Sequence, residues 1–153
     1  FIWMEDFDGA SHSLCNSAAV EDTIMTITTT PSEVFEGTGR SGKVSITTPS
    51  YIGYSCEQYV LPKYGAPVFL ELNYACNTDF NVGIVGYAGS VIEVQSISLS
   101  LRPTTGWNKV YVNLSNEISN AGNATKFKIF FSMIKNQNIP ASYFYLDNVK
   151  LIH

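Results

Sequence analysis

Tyr143-Phe144-Tyr145-Leu146-Asp147-Asn148-Val149-Lys150-Leu151-Ile152 decides the reading of this chain. Its alternation is that of a β-strand with one residue out of place. Tyr145, Asp147, Val149 and Leu151 fall on one face, Asn148 and Lys150 on the other. If the Val149 and Leu151 face is the buried one, a carboxylate stands in a core register. There it needs a cation or several hydrogen-bond donors. Asp147 is therefore the polar position with a physical obligation to meet.

The rest of the chain repeats the strand pattern. Short segments alternate apolar and polar residues and are separated by Gly, Pro, Asn and Ser. The pattern predicts strands near residues 1–7, 23–29, 43–48, 56–61, 68–76, 80–88, 91–101, 107–114, 126–134 and 143–152. Their inner sets include Phe80, Val82 and Ile84; Val110, Val112 and Leu114; and Phe127, Ile129, Phe131 and Met133. Between Val94 and Ile97 the apolar register changes parity, which predicts a β-bulge. Turn residues at 62–67 and 120–123 support the breaks. Helical periodicity is missing, apart from one short turn's length at Ser115 to Ala121. Many short strands at regular spacing predict an all-β, antiparallel two-sheet jelly-roll sandwich.

A length of 153 residues suits a single domain, 1–153, able to bury its own core. Apolar residues make up 45 % and charged residues 14 %, the latter well under the roughly 25 % of an average soluble domain. The net charge is −4 and the basic residues are scattered, which argues against a nucleic-acid partner. No apolar run approaches membrane-spanning length. Because the chain opens at Phe1 without an initiator Met or charged leader, it is expected to be a processed piece whose export signal has been removed. Cys15, Cys56 and Cys76 are odd in number and lack C-x-x-C spacing, against a zinc ribbon or a full disulfide framework. Cys76 reads most simply as a small buried hydrophobe, and nothing forces a Cys56–Cys76 bridge.

Trp3-Met4-Glu5-Asp6-Phe7, Trp107-Asn108-Lys109-Val110-Tyr111-Val112 and Tyr145-Leu146-Asp147-Asn148-Val149-Lys150-Leu151 together resemble carbohydrate-binding-module-like jelly rolls. Such folds are of the galactose-binding or concanavalin-like kind, and the resemblance is to small outer-membrane lipoproteins of Bacteroidetes. It implies that first and last strands are neighbours, with a structural calcium ion where they meet. It also implies export to a bacterial cell surface on a lipid anchor. Transferred onto this chain, the metal residues are Asp147 with Glu5 or Asp6. Oxygen-rich clusters suit calcium, and crowded carboxylates repel unless a cation joins them. The competing reading has Asp147 capping backbone N–H groups or pairing with Lys43 or Lys150.

Sugar binding on such a fold relies on exposed aromatic rings with polar side chains at the rim. Two platforms are expected. One is the tyrosine-rich segment Tyr51, Tyr54, Tyr59 and Tyr64. The other is the outward stripe Trp107, Lys109, Tyr111 and Asn113, flanked by Lys128, Phe130 and Ser132, with Tyr87 on the strand beyond. The competing reading covers these rings with a loop, making a second small core. For a glycosidase, Glu71 and Glu93 are the strand carboxylates that could approach each other. A nucleophilic triad would have only His12 and His153 to draw on. Asn113-Leu114-Ser115 and Asn123-Ala124-Thr125 match N-glycosylation acceptors, which matter only in a eukaryotic secretory host. Asp22-Thr23-Ile24 resembles the O-glycan acceptor of Bacteroidetes exported proteins. The expectation is a non-catalytic cell-surface module that binds glycan or polysaccharide, the alternative being a structural or adhesion domain contacting another protein.

Overall fold

The computed structural model describes residues 1–153 as two antiparallel sheets packed face to face. The strands are β1 (Trp3–Glu5), β2 (Leu14–Cys15), β3 (Thr26–Thr28), β4 (Ser41–Ile46), β5 (Ser50–Ser55), β6 (Phe69–Cys76), β7 (Phe80–Ala88), β8 (Val91–Leu101), β9 (Asn108–Asn113), β10 (Lys126–Ile134) and β11 (Ser142–Ile152). A 3-10 turn at Phe35–Gly37 and the one-turn helix α1 (Ser115–Ser119) complete the set. The first sheet runs β3-β4-β11-β6-β9, with β1 also on β11; the second runs β2-β5-β10-β7-β8. The expected jelly-roll sandwich is the fold found. No helix is long and apolar enough to cross a membrane.

β11 organises the first sheet. Along one edge it pairs with β6; along the other it takes β4 over residues 142–146 and β1 over 149–151. In the gap between β4 and β1 the strand bulges: the register with β6 shifts between Asp147 and Lys150, and Asn148 adopts a φ of 49°. Asparagine is among the few non-glycine residues that enter this left-handed region readily. The bulge inverts the strand's parity, so the inward set is Phe144, Leu146, Val149 and Leu151, all fully buried. Tyr143, Tyr145 and Asp147 lie on the opposite, outer face. The uniform alternation read from the sequence is corrected accordingly, and Asp147 does not occupy a core register.

The core is aromatic where the sheets meet. Phe80 of the second sheet stacks on Phe144 of the first, with centroids 4.4 Å apart and planes within 7°. Tyr51, Phe131 and Tyr74 close around this pair. Cys76 is buried, its thiol pushed up to about 11 by desolvation first and then by the charge of Asp79.

Several boundaries move. The expected strand at 56–61 is instead β5, and 56–61 is a connection that touches β10 only through a Tyr59–Phe127 bridge. The inner face of β5 is Tyr51, Gly53 and Ser55, a row without the apolar alternation that marks a strand. Gly53 is needed there, because a Cβ would run into the Tyr51 ring. β2 has only two residues, too few for a pattern. The expected first strand ends at Glu5, since Phe7 turns to a φ of 58° and buries its ring against Gly42. The expected bulge in β8 is a pair: the pairing with β7 slips at Glu93 and again at Ser98, on either side of Val94–Ile97.

Candidate functional site

The outer face of the first sheet carries most of the expected sugar stripe. Trp107, just before β9, is half-buried between two rings. Phe35 meets it edge-on at 5.5 Å and Tyr145 stacks on it at 6.2 Å, with Tyr143 stacking on Tyr145 at 4.7 Å. Phe35 comes from the β3–β4 connection, which a clamp holds to the sheet. Lys43 Nζ and the Thr28 hydroxyl each donate to the Glu33 carboxylate at 2.6 Å. Those two bonds, Lys43 first, hold the Glu33 carboxyl below its ordinary value. Tyr111 is 56 % exposed, with Lys109 Nζ 5.3 Å from its ring centre. Lys109 pairs with Glu71 at 2.7 Å. Asn113 is exposed and its Oδ1 accepts the Ser115 N–H. Trp107 thus belongs to a packed aromatic row under a connection, and only Tyr111 offers a free ring. Tyr87 lies on the other sheet, so the structure does not bring it together with Trp107, Lys109, Tyr111 and Asn113.

The expected metal residues separate in a similar way. Asp147 is buried; its carboxylate accepts the Ser41 hydroxyl at 2.7 Å and the Asn148 N–H at 2.7 Å. Burial raises its pKa most, and the charges of Asp8 and Asp6 add to that, against the pull of the two donors. Glu5 points elsewhere: its oxygens accept the Phe7 N–H, the Ser13 N–H and the Ser13 hydroxyl. Asp8 lies outside the expected metal set, yet its charge is one of those that raise the pKa of Asp147. No three His, Cys, Asp or Glu side chains converge closely enough to hold a metal ion by themselves. An ion at Asp147 and Asp6 would draw on backbone carbonyls as well, which calcium accepts. The competing cap reading of Asp147 is met in part by the Asn148 N–H, while Lys43 is committed to Glu33 and Lys150 lies nearest Glu71.

The second sheet's outer face gathers residues that the sequence reading had scattered. Pairing registers line up Tyr54, Phe130, Gly83 and Ile97 in one row across β5, β10, β7 and β8. The next rows hold Lys128 with Val85, then Lys126 with Tyr87 and Ile92. Phe130 is buried although it faces outward, because its ring lies over Gly83; a Cβ there would come within 2.6 Å of it. At this end of the face a small cleft of about 70 Å³ is lined by Tyr54, Tyr87, Ile92, Lys128, Asn16 and Ser17. Desolvation raises the pKa of both tyrosines. Tyr54's charge adds to the effect on Tyr87.

The cleft's rim is tied down covalently. Cys15, paired with Tyr54 in the sheet, forms a disulfide with Cys56. This corrects the cysteine reading, which had left only Cys56–Cys76 in view. The bridge spans a separation of 41 residues, worth roughly 4 kcal/mol on the chain-entropy account. Asn16 then folds the rim on itself, its Oδ1 accepting the Ala18 and Val20 N–H groups. Of the expected tyrosine platform only Tyr54 reaches this face. Tyr51 is buried and donates to Asp22, Tyr59 stacks on Trp3, and Tyr64 projects from an exposed turn. One sequence signal for the cleft existed: Tyr87 and Lys128 sit opposite to the inner sets of their strands.

Catalytic groupings are not assembled. Glu71 is on the first sheet, between Lys109 and Lys150, and Glu93 is on the second. His12 is spent on the backbone, with Nε2 2.8 Å from the Met25 carbonyl and Nδ1 accepting the Leu14 N–H.

Neither family models nor curated proteins match this chain. Solved structures do. The K2 cleaved adhesin domain of Lys-gingipain has a TM-score of 0.63 at 11 % identity, covering 99 % of this chain and 97 % of that one. A xylan-binding domain of carbohydrate-binding module family 22 has a TM-score of 0.62 at 13 % identity, covering 99 % and 93 %. A family 30 carbohydrate-binding module of a cellulosomal cellulase from Clostridium thermocellum has 0.60 at 15 %, covering 98 % and 90 %. At such identities the likeness defines a fold: this is a carbohydrate-binding-module-like jelly roll.

Proposed function

We propose that this domain is a non-catalytic polysaccharide-binding module, taking a glycan on the outer face of the second sheet between Tyr54 and Tyr87. One observation carries the reading: two half-buried tyrosines flank Lys128 in a cleft whose rim is Asn16 and Ser17. Aromatic faces with polar groups at their margin suit sugar rings. At about 70 Å³ the cleft is too small to engulf a sugar ring, which suits contact with one part of a longer chain. The separation of Glu71 and Glu93 supports binding without hydrolysis, since bond cleavage needs two carboxyl groups flanking one linkage.

The Cys15–Cys56 bridge supports export, because disulfides persist in oxidising compartments; attachment to a bacterial outer surface through a lipid anchor belongs to the same proposal. So does a structural calcium ion at Asp147 and Asp6, supported by the burial of Asp147, whose pKa the charges of Asp8 and Asp6 raise further. A second reading, an adhesion domain that contacts protein, is favoured by β8. This edge strand exposes Val91, Ile92 and Ile97 and carries neither Lys nor Pro, leaving its two bulges and Glu93 as its guards.

Affinity electrophoresis through gels containing xylan, β-glucan or galactan tests the proposal. Wild type is expected to be retarded by at least one of them, and Tyr87→Ala and Tyr54→Ala to weaken retention about tenfold or more, with Trp107→Ala and Tyr111→Ala retained. Loss in Tyr111→Ala alone would move the site to the first sheet. No retardation of wild type by any polysaccharide removes the glycan reading and leaves the protein-contact one.

A further inference from the structure

At the far end of the same sheet lies a groove of about 550 Å³, larger than the tyrosine cleft and different in chemistry. Its walls are the β6–β7 turn with Asn77 and Asp79, Asn81 of β7, Ser100 of β8, and Ile134 and Asn136 where β10 ends. Ile134 is its one large apolar contributor and is exposed.

The walls are held in place by hydrogen bonds that are wholly or partly buried. The Asn77 side-chain amide donates to the Ala141 carbonyl at 3.0 Å, and its Oδ1 accepts the Tyr143 N–H at 2.7 Å. Ser142 is completely buried, and its oxygen accepts the Thr78 hydroxyl and the Asn136 N–H, each at 2.9 Å. Lys135 Nζ donates to the Asn136 and Ile139 carbonyls, closing the β10–β11 connection. On the open side a polar ladder crosses three strands: Ser100 donates to Asn81 Oδ1 at 2.6 Å, and Asn81 Nδ2 to Ser132 at 3.3 Å. A site whose groups are fixed beforehand loses little freedom on binding.

The lining selects the ligand. Asp79 is its only ionisable side chain, so an anion is repelled. An apolar ligand would strip water from amides, hydroxyls and a carboxylate without replacing their hydrogen bonds. A neutral polyol satisfies all of them: vicinal hydroxyls donate to Asp79, the amides serve as donors and acceptors, and Ile134 meets a C–H face. We propose that this groove is a second carbohydrate subsite, separate from the tyrosine cleft, which holds a neutral mono- or disaccharide unit through Asp79, Asn81 and Asn136. Six residues of β7 separate Asn81 from Tyr87, roughly 20 Å at ordinary strand rise. A glycan long enough to reach both sites would bind each more tightly than its fragments do.

The test is titration of the ¹⁵N-labelled protein with xylobiose, cellobiose and β-1,4-galactobiose, following the side-chain amide signals of Asn81 and Asn136. At least one disaccharide is expected to shift these signals saturably, and the shifts to persist in Tyr54→Ala and Tyr87→Ala. Asp79→Ala, an exposed position that leaves the buried network intact, is expected to weaken them about tenfold or more. Three outcomes overturn the proposal: no shift with any disaccharide, shifts that vanish with the tyrosines, or shifts unchanged in Asp79→Ala. Retention on polysaccharide gels lost only in the tyrosine variants, with silent groove signals, would leave the cleft standing and remove the groove.

Discussion

Asn148 decides which way the most diagnostic strand faces. Its φ of 49° places one extra residue between β4 and β1, turning Asp147 outward while Val149 and Leu151 stay in the core. A β-branched residue is poorly tolerated in that conformation. Asn148→Val is therefore expected to cost about 1–2 kcal/mol in chemical denaturation, whereas Asn148→Gly holds stability level or improves it. Equal effects of both substitutions would mean that the side chain matters and the backbone conformation does not. The sequence displayed an anomaly here, a carboxylate in an apolar register, but not its cause. A two-residue alternation has no mark for a bulge except the broken alternation itself, and Asn in place of Gly hides the positive φ. Gly83 is similar. A glycine inside a strand is in general a mark of close approach, yet only the pairing registers reveal that the ring over Gly83 is Phe130, and that an outward aromatic can be buried.

Among the elements, those with long, regular inner sets were legible. β6, β7, β10 and β11 appear within a residue or so of their expected limits, because alternation over eight or more residues outweighs local preference. Of the short elements β9 was legible to within a residue at each end, but β2 and β5 were not. β2 has two residues, and β5 buries Tyr51 through a hydrogen bond to Asp22 and leaves the rest of its inner face to Gly53 and Ser55. The stripe around Trp107 was legible as a row of rings, and the competing reading covered them with a loop, but nothing marked Phe35 as the cover, since it reaches Trp107 from a connection 72 positions earlier. That connection depends on Glu33, whose pKa is lowered chiefly by Lys43 and Thr28. A depressed carboxylate contributes stability that is present above its unfolded value of about 4.5 and is lost as pH falls through the lower folded value. Acidification below about pH 4.5 is therefore expected to release Phe35 from Trp107. A change in tryptophan emission should appear in wild type, be absent in Trp107→Phe, and occur already at neutral pH in Glu33→Gln. Emission that follows only global unfolding would show that the connection has no independent opening.

For the molecule as a whole, first and last strands are neighbours, as the expected architecture requires, and β1 holds to the sheet through three residues on β11. Around that joint Asp147 is taken out of water, and the charges of Asp8 and Asp6 further disfavour its ionised form. At neutral pH their repulsion opposes the docking of the opening segment, although Arg40 partly secures it by donating to the Gly9 carbonyl at 2.9 Å. A bound divalent cation would convert the repulsion into a tie between the two ends of the chain, and ligands that bind only the folded state raise stability by mass action. The proposed calcium thus predicts a melting temperature that rises by a few degrees on adding calcium and falls on adding chelator. Asp147→Asn should abolish that response, and Glu5→Gln should preserve it, because Glu5 is already occupied by Phe7 and Ser13. If chelator leaves the melting temperature unmoved and Asp147→Asn is at least as stable as wild type, the three carboxylates are an unrelieved strain at the joint and no ion belongs there. A response lost in Glu5→Gln as well would instead place Glu5 among the ligands, requiring its side chain to leave Ser13 when metal binds.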